Sequence, residues 1–175
     1  MTADANPPST PKQTAFVRII RYGGSLVGVA GGLYSGLNFL IPAICGGAIA
    51  FLLRKTGIVK SNLAIGAAAL QGGHVVWMLL GAFFAQQGIG FIAEVALYFV
   101  MVVLLIWREA KWVIILLMAY QVFGLIVNGI SFVTVPIGSV ASRALVVHLM
   151  LRLGAFICMA LLLREKPRES FVDAF

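Results

Sequence analysis

The chain has 175 residues, 61% of them hydrophobic and 11% charged. A soluble domain carries about 25% charged residues, so the composition excludes a water-soluble globular fold and makes lipid the solvent. The net charge of +7 does not signal nucleic acid, because the basic residues sit in short segments between apolar runs, where the positive-inside bias of membrane proteins places them. The predicted fold is therefore all-α: a polytopic membrane helix bundle of six transmembrane helices, with five as the second choice.

Residues 1–15 contain Asp4, Pro7, Pro8 and Pro11 and no apolar core, which predicts a disordered cytoplasmic tail. The first apolar run begins near Phe16 with no cleavage site after it, so it does not read as a secretory signal. Residues 16–165 read as a single transmembrane domain and 166–175 as a second cytoplasmic tail.

The stretch Ile19–Leu53 would be about 50 Å long as one helix, against a hydrocarbon core about 30 Å thick. Ser35-Gly36-Leu37-Asn38, followed by Pro42, offers a break. Split there, the stretch becomes a hairpin of two short glycine-rich spans; a re-entrant pair and one long tilted helix are the alternatives. Gly24, Gly28, Gly32 and Gly36 recur every four residues, which on a helix makes one small ridge suited to close helix packing. Ala43 and Gly47 repeat the spacing, so the ridge is expected to pack within the hairpin or, alternatively, to form a dimer interface or hinge.

Four further spans follow: Leu63–Ala85, Ile89–Trp107, Trp112–Phe132 and Ala144–Leu163. Each is close to the roughly 20 residues a helix needs to cross. Trp107 and Trp112 flank the charged turn Arg108-Glu109-Ala110-Lys111, as interfacial aromatics do. With six spans, Lys12, Arg18, Arg21, Arg54, Lys55, Lys60, Arg108, Lys111, Arg164, Lys166 and Arg168 share one side and Arg143 takes the other. With five, Lys12, Arg18 and Arg21 would join Arg143. The first division fits the charge rule better and places both termini in the cytoplasm of a cell (inner) membrane protein.

Ionisable and strongly polar residues within spans are the functional candidates. They are Gln71, His74, Glu94, Gln121, Asn128, His148 and Arg152. In the third span Ala67, Gln71, His74, Met78, Gly81 and Ala85 form one stripe. Gln121, Gly124, Asn128 and Ser131 do so in the fifth, and Ala144, His148, Arg152, Ala155 and Met159 in the sixth. Glu94 and Tyr98 lie one turn apart in the fourth. On these boundaries Glu94, Asn128 and His148 lie roughly 6–7 Å below the outer edge, Arg152 one turn deeper, and Gln71, His74 and Gln121 near the midplane. The distribution predicts a polar funnel open to the outer face, lined for substrate or protons. The plainer reading is structural: Glu94 and Arg152 neutralise each other, and Gln71 and Asn128 bond neighbouring helices.

Other chemistry finds little support. Axial histidines must share a depth to hold one haem, and His74 and His148 differ by about 10 Å on these boundaries. No HExxH or GxSxG occurs, Asp4 and Asp173 both lie in tails, and the first-span glycines follow no strand. Cys45 and Cys158 sit in apolar runs and read as packing residues. No metal, catalytic residue or cofactor is assigned, and an enzyme is the weaker class. His74–Phe83 resembles His148–Phe156, as an inverted three-plus-three repeat would require, but a one-residue gap breaks the helical register and chance similarity suffices. The expected function is a small transporter or channel component. The alternative is a non-transporting subunit or scaffold. Besides the lipid bilayer, a homodimer or a membrane partner subunit suits so small a chain.

Overall fold

The computed structural model describes residues 29–84 and 89–165. Both tails, Gly24 and Gly28 lie outside the described residues. The described chain forms six helices and no strand. α1 covers residues 29–35, followed by α2 (Leu37–Thr56), α3 (Asn62–Phe84), α4 (Ile89–Arg108), α5 (Lys111–Thr134) and α6 (Val140–Glu165). α2 to α6 are each long and apolar enough to cross a membrane, and exposed Ile44, Phe51, Leu97, Phe123 and Ile130 give them a lipid-compatible surface. The chain is an integral membrane protein.

The expected break falls at Gly36, whose φ of 58° and ψ of −131° suit glycine alone among residues. Gly36 therefore turns the chain instead of extending a ridge, and a Cβ there would meet nothing within 4 Å. The break lies at the end of the bundle that carries the α5–α6 connection. There the Tyr34 hydroxyl hydrogen-bonds Ser142 Oγ at 3.1 Å and accepts from the Gly138 N–H at 3.0 Å. A hairpin or a re-entrant pair fits this placement and a single long helix does not; residues 19–28, on which the choice between the first two falls, lie outside the described residues.

Short connections make consecutive helices antiparallel. Arg54, Lys55, Lys60, Arg108, Lys111 and Arg164 therefore gather at one end of the bundle and Arg143 at the other. Gly57 closes α2 in the left-handed conformation, its N–H bonded to the Leu53 carbonyl.

α3 is the most buried of the spans, in contact with α2, α4 and α6, while α5 packs on α6. The α2–α3 contact is backbone on backbone. A Cβ on Gly46 would lie 2.8 Å from the Ala69 carbonyl oxygen, and one on Gly73 would collide with the Pro42 carbonyl. The packing expected of Ala43 and Gly47 is against the first half of the hairpin, most of which lies outside the described residues; among the described residues a Cβ on Gly47 would touch nothing, and both line a groove. That groove, about 560 Å³ between α2, α3 and α6, is apolar and includes Phe39, Leu70, Met150 and Gly154. Gly32 lies against the Phe39 ring, just beyond the break.

Candidate functional site

The polar stripes of α3, α5 and α6 turn toward one another, together with Tyr98 of α4. Gln71, His74, Tyr98 and Gln121 are fully buried, and Arg152 is 4% exposed. α3 supplies Gln71 and His74 one turn apart, and Ala67 and Ala68 keep the same helix slim enough for close packing.

Gln121 stands at the centre. Its Nε2 donates to Gln71 Oε1 at 3.2 Å and to the Tyr98 hydroxyl at 2.8 Å. Its Oε1 accepts from Arg152 Nη1 at 3.3 Å. Gln71 Nε2 in turn faces Met159 Sδ at 3.5 Å. Both ends of the Gln121 amide are thus engaged, as a buried amide requires.

Arg152 reaches past Gln121. Its Nη2 donates to the Tyr120 hydroxyl at 3.5 Å, and the guanidinium carbon lies 4.8 Å from the centre of the Tyr120 ring. The Tyr120 hydroxyl donates to Glu94 Oε1 at 2.7 Å. The expected neutralising contact between Arg152 and Glu94 is therefore indirect, with a phenol between cation and carboxylate. Glu94 itself stands on an exposed face of α4. The guanidinium fits because residue 124 is glycine: a methyl group there would collide with it.

The two histidines meet. His74 Nε2 and His148 Nδ1 are 2.6 Å apart. Trp77 packs on His148 with ring centres 4.5 Å apart, and Tyr98 meets His74 edge-on at 5.7 Å. This corrects the depth argument from sequence. α6 begins at Val140 instead of Ala144, and four more residues lower His148 by about 6 Å relative to the helix start. The nitrogens are bonded to each other, not spaced for a metal between them.

Among the described residues four polar atoms are buried without a partner: Ser35 Oγ, His74 Nδ1, Asn128 Nδ2 and Arg152 Nε. Three belong to the residues singled out from sequence. Asn128 joins none of the bonds described and sits one turn from Gly124 toward the Arg143 end. Tyr120, which links Arg152 to Glu94, is not among the candidates drawn from the sequence. Its spacing gave the signal: 120, 124 and 128 share one face. Among the described residues no group of three His, Cys, Asp or Glu side chains is placed to hold a metal ion.

Comparison with protein-family models, with curated proteins and with solved structures finds no match.

Proposed function

We propose that this protein is a small membrane transporter or channel component in which the central polar cluster forms the transport path. The observation that carries the reading is the buried guanidinium of Arg152, held by neutral acceptors and reaching a carboxylate only through Tyr120. A purely structural network gains most when every member is satisfied. Here two of the clustered side chains, His74 and Arg152, keep an unpartnered polar atom, as does Asn128 one turn from Gly124. Stripes that supply both a charge and unused donors are characteristic of substrate and proton pathways in membranes.

In this reading the basic end of the bundle faces the cytoplasm and the path opens at the Arg143 end. Glu94 and the His74–His148 pair exchange protons, Arg152 sets the field, and Gln71, Gln121 and Asn128 line the path.

A scaffold remains the competing reading, favoured by the complete hydrogen bonding of Gln121. Proton uptake into liposomes containing the purified protein separates the two. Transport requires flux in the wild type and its loss in Arg152→Gln and Glu94→Gln variants that stay folded. The scaffold reading requires no flux, with destabilised single variants rescued when both charges are removed together.

A further inference from the structure

We infer that the groove between α2, α3 and α6 binds one anionic phospholipid from the leaflet at the basic end of the bundle, with an acyl chain in the groove and the phosphate held by Arg54 and Arg164. The inference goes beyond the transport reading and does not rest on it.

The groove exists because three helices meet there through small side chains. α2 and α6 flank α3 and scarcely touch each other, so α3 forms the back of the space between them. Gly66 and Ala69 make its floor, and Ala43, Gly47 and Gly154 thin its walls. Its volume of about 560 Å³ lies within the range of about 300–1,000 Å³ usual for a small-molecule site. Ala43 and Gly47 on one wall and Leu153 on the other are exposed, so the groove opens sideways at a depth where a bilayer supplies hydrocarbon. Along α2 it runs from Phe39 to Ala50, about 16 Å. One leaflet of a hydrocarbon core roughly 30 Å thick offers a chain of similar reach.

The two ends of the groove differ, and the difference selects the leaflet. At the Arg143 end α1 closes it: Gly31 lies against Met150 and Gly32 against Phe39, both lining residues. At the other end each helix carries positive charge on the face that lines the groove. Ala43, Gly47, Ala50 and Arg54 follow one another by four, three and four residues, so Arg54 stands one turn beyond the α2 wall. Met150, Gly154 and Ile157 continue in the same steps through Leu161 to Arg164. α3 begins at Asn62, one turn before Gly66, and brings the positive end of its dipole to the same place.

Both arginines are exposed, and neither guanidinium is bonded to another described residue. Lys55 and Lys60 add to the field, and Glu165 offsets one charge. Arginine side chains near helix ends lay their stems along apolar surface and keep the head at the interface. A phosphate there meets two forked donors, while the chain below it fills apolar space that water would leave empty. Basic pockets between spans at the cytoplasmic side recognise anionic head groups in this way.

Native mass spectrometry of the full chain, purified in detergent and mixed with phosphatidylglycerol or phosphatidylcholine of identical acyl chains, tests the site. The wild type should retain one phospholipid per chain and should half-saturate with phosphatidylglycerol at a concentration about tenfold or more below that for phosphatidylcholine. The Arg54→Gln/Arg164→Gln double variant should lose that preference. Gly47→Leu, which fills the groove where a Cβ has open space, should weaken retention of both lipids. Should Gly47→Leu fail to fold, the exposed arginine pair decides. Equal retention of the two lipids by the wild type, or a preference unchanged in the double variant, overturns the inference. A dimer that Gly47→Leu dissociates also overturns it, by seating a second copy in the groove. So does an oxidative cross-link within one chain of a Gly24→Cys/Gly47→Cys variant lacking Cys45 and Cys158, which would seat residues 16–28 there. Proton uptake is unaffected by any of these outcomes, so the transport reading stands or falls separately.

Discussion

His74 on α3 and His148 on α6 share a hydrogen bond of 2.6 Å between Nε2 and Nδ1, joining two spans that lie 74 residues apart in sequence. In the neutral pair one ring donates and the other accepts, so a single proton sits between them. Neither ring keeps its geometry once the other is lost. His74→Phe and His148→Phe should therefore each be destabilising, and the double variant should cost less than their sum. The coupling expected is about 0.5–1.5 kcal/mol, read from a double-mutant cycle of unfolding in mixed micelles. Strict additivity would show that the contact contributes nothing.

Gln121 and Asn128 lie on the same face of α5 and should respond oppositely to the same substitution. Gln121 bonds Gln71, Tyr98 and Arg152, and Gln121→Leu leaves those three groups short of a partner. A loss of about 1–3 kcal/mol is expected. Asn128 Nδ2 has no partner to strand. Asn128→Leu should be neutral or stabilising, because it removes an unsatisfied polar group from the membrane interior. Equal destabilisation by both would mean that Asn128 has a structural partner.

The contrast shows what the sequence could carry. Residue type and the three-and-four spacing brought Gln71, His74, Gln121, His148 and Arg152 to one centre, because burying polar stripes against each other is the arrangement hydrocarbon permits. Which atoms meet was beyond that pattern. The depth of His148 depended on a helix start misplaced by four residues, between Ala144 and Val140. The link between Glu94 and Arg152 depended on Tyr120, an amphipathic residue whose ring packs while its hydroxyl bonds. The break at Gly36 was legible, since no other residue takes its backbone angles easily. The glycines in closest contact were not: Gly46 and Gly73 belong to no run of glycines at four-residue spacing, and the crossing of α2 over α3 selects them.

That crossing gives a sharp pair of substitutions. Gly73→Ala drives a methyl group into the Pro42 carbonyl and the Gly46 backbone, and Gly46→Ala meets the Ala69 carbonyl. Neither obstacle is a flexible side-chain tip, so α2 and α3 must separate. Each variant should lose about 1–3 kcal/mol, the usual range for overpacking. Gly47→Ala, one residue along and facing open space, should change stability by less than about 0.5 kcal/mol. Thermal unfolding in one detergent would rank all three, and a Gly47→Ala effect as large as that of Gly73→Ala would contradict the packing.

The positive-inside rule predicts an orientation for the bundle from the charge at its ends. Arg54, Lys55, Lys60, Arg108, Lys111 and Arg164 crowd one end, in short connections where basic residues govern insertion. Ile58 lies in the connection at that end and Ile137 at the other, and both side chains are exposed. With Cys45 and Cys158 replaced by alanine, a cysteine at Ile137 should react with a membrane-impermeant maleimide on intact cells. One at Ile58 should react only after permeabilisation. The converse pattern would invert the bundle and turn the Arg143 end, with Asn128 beneath it, toward the cytoplasm. Labelling at both positions on intact cells would mean that the two connections are not on opposite sides of a membrane.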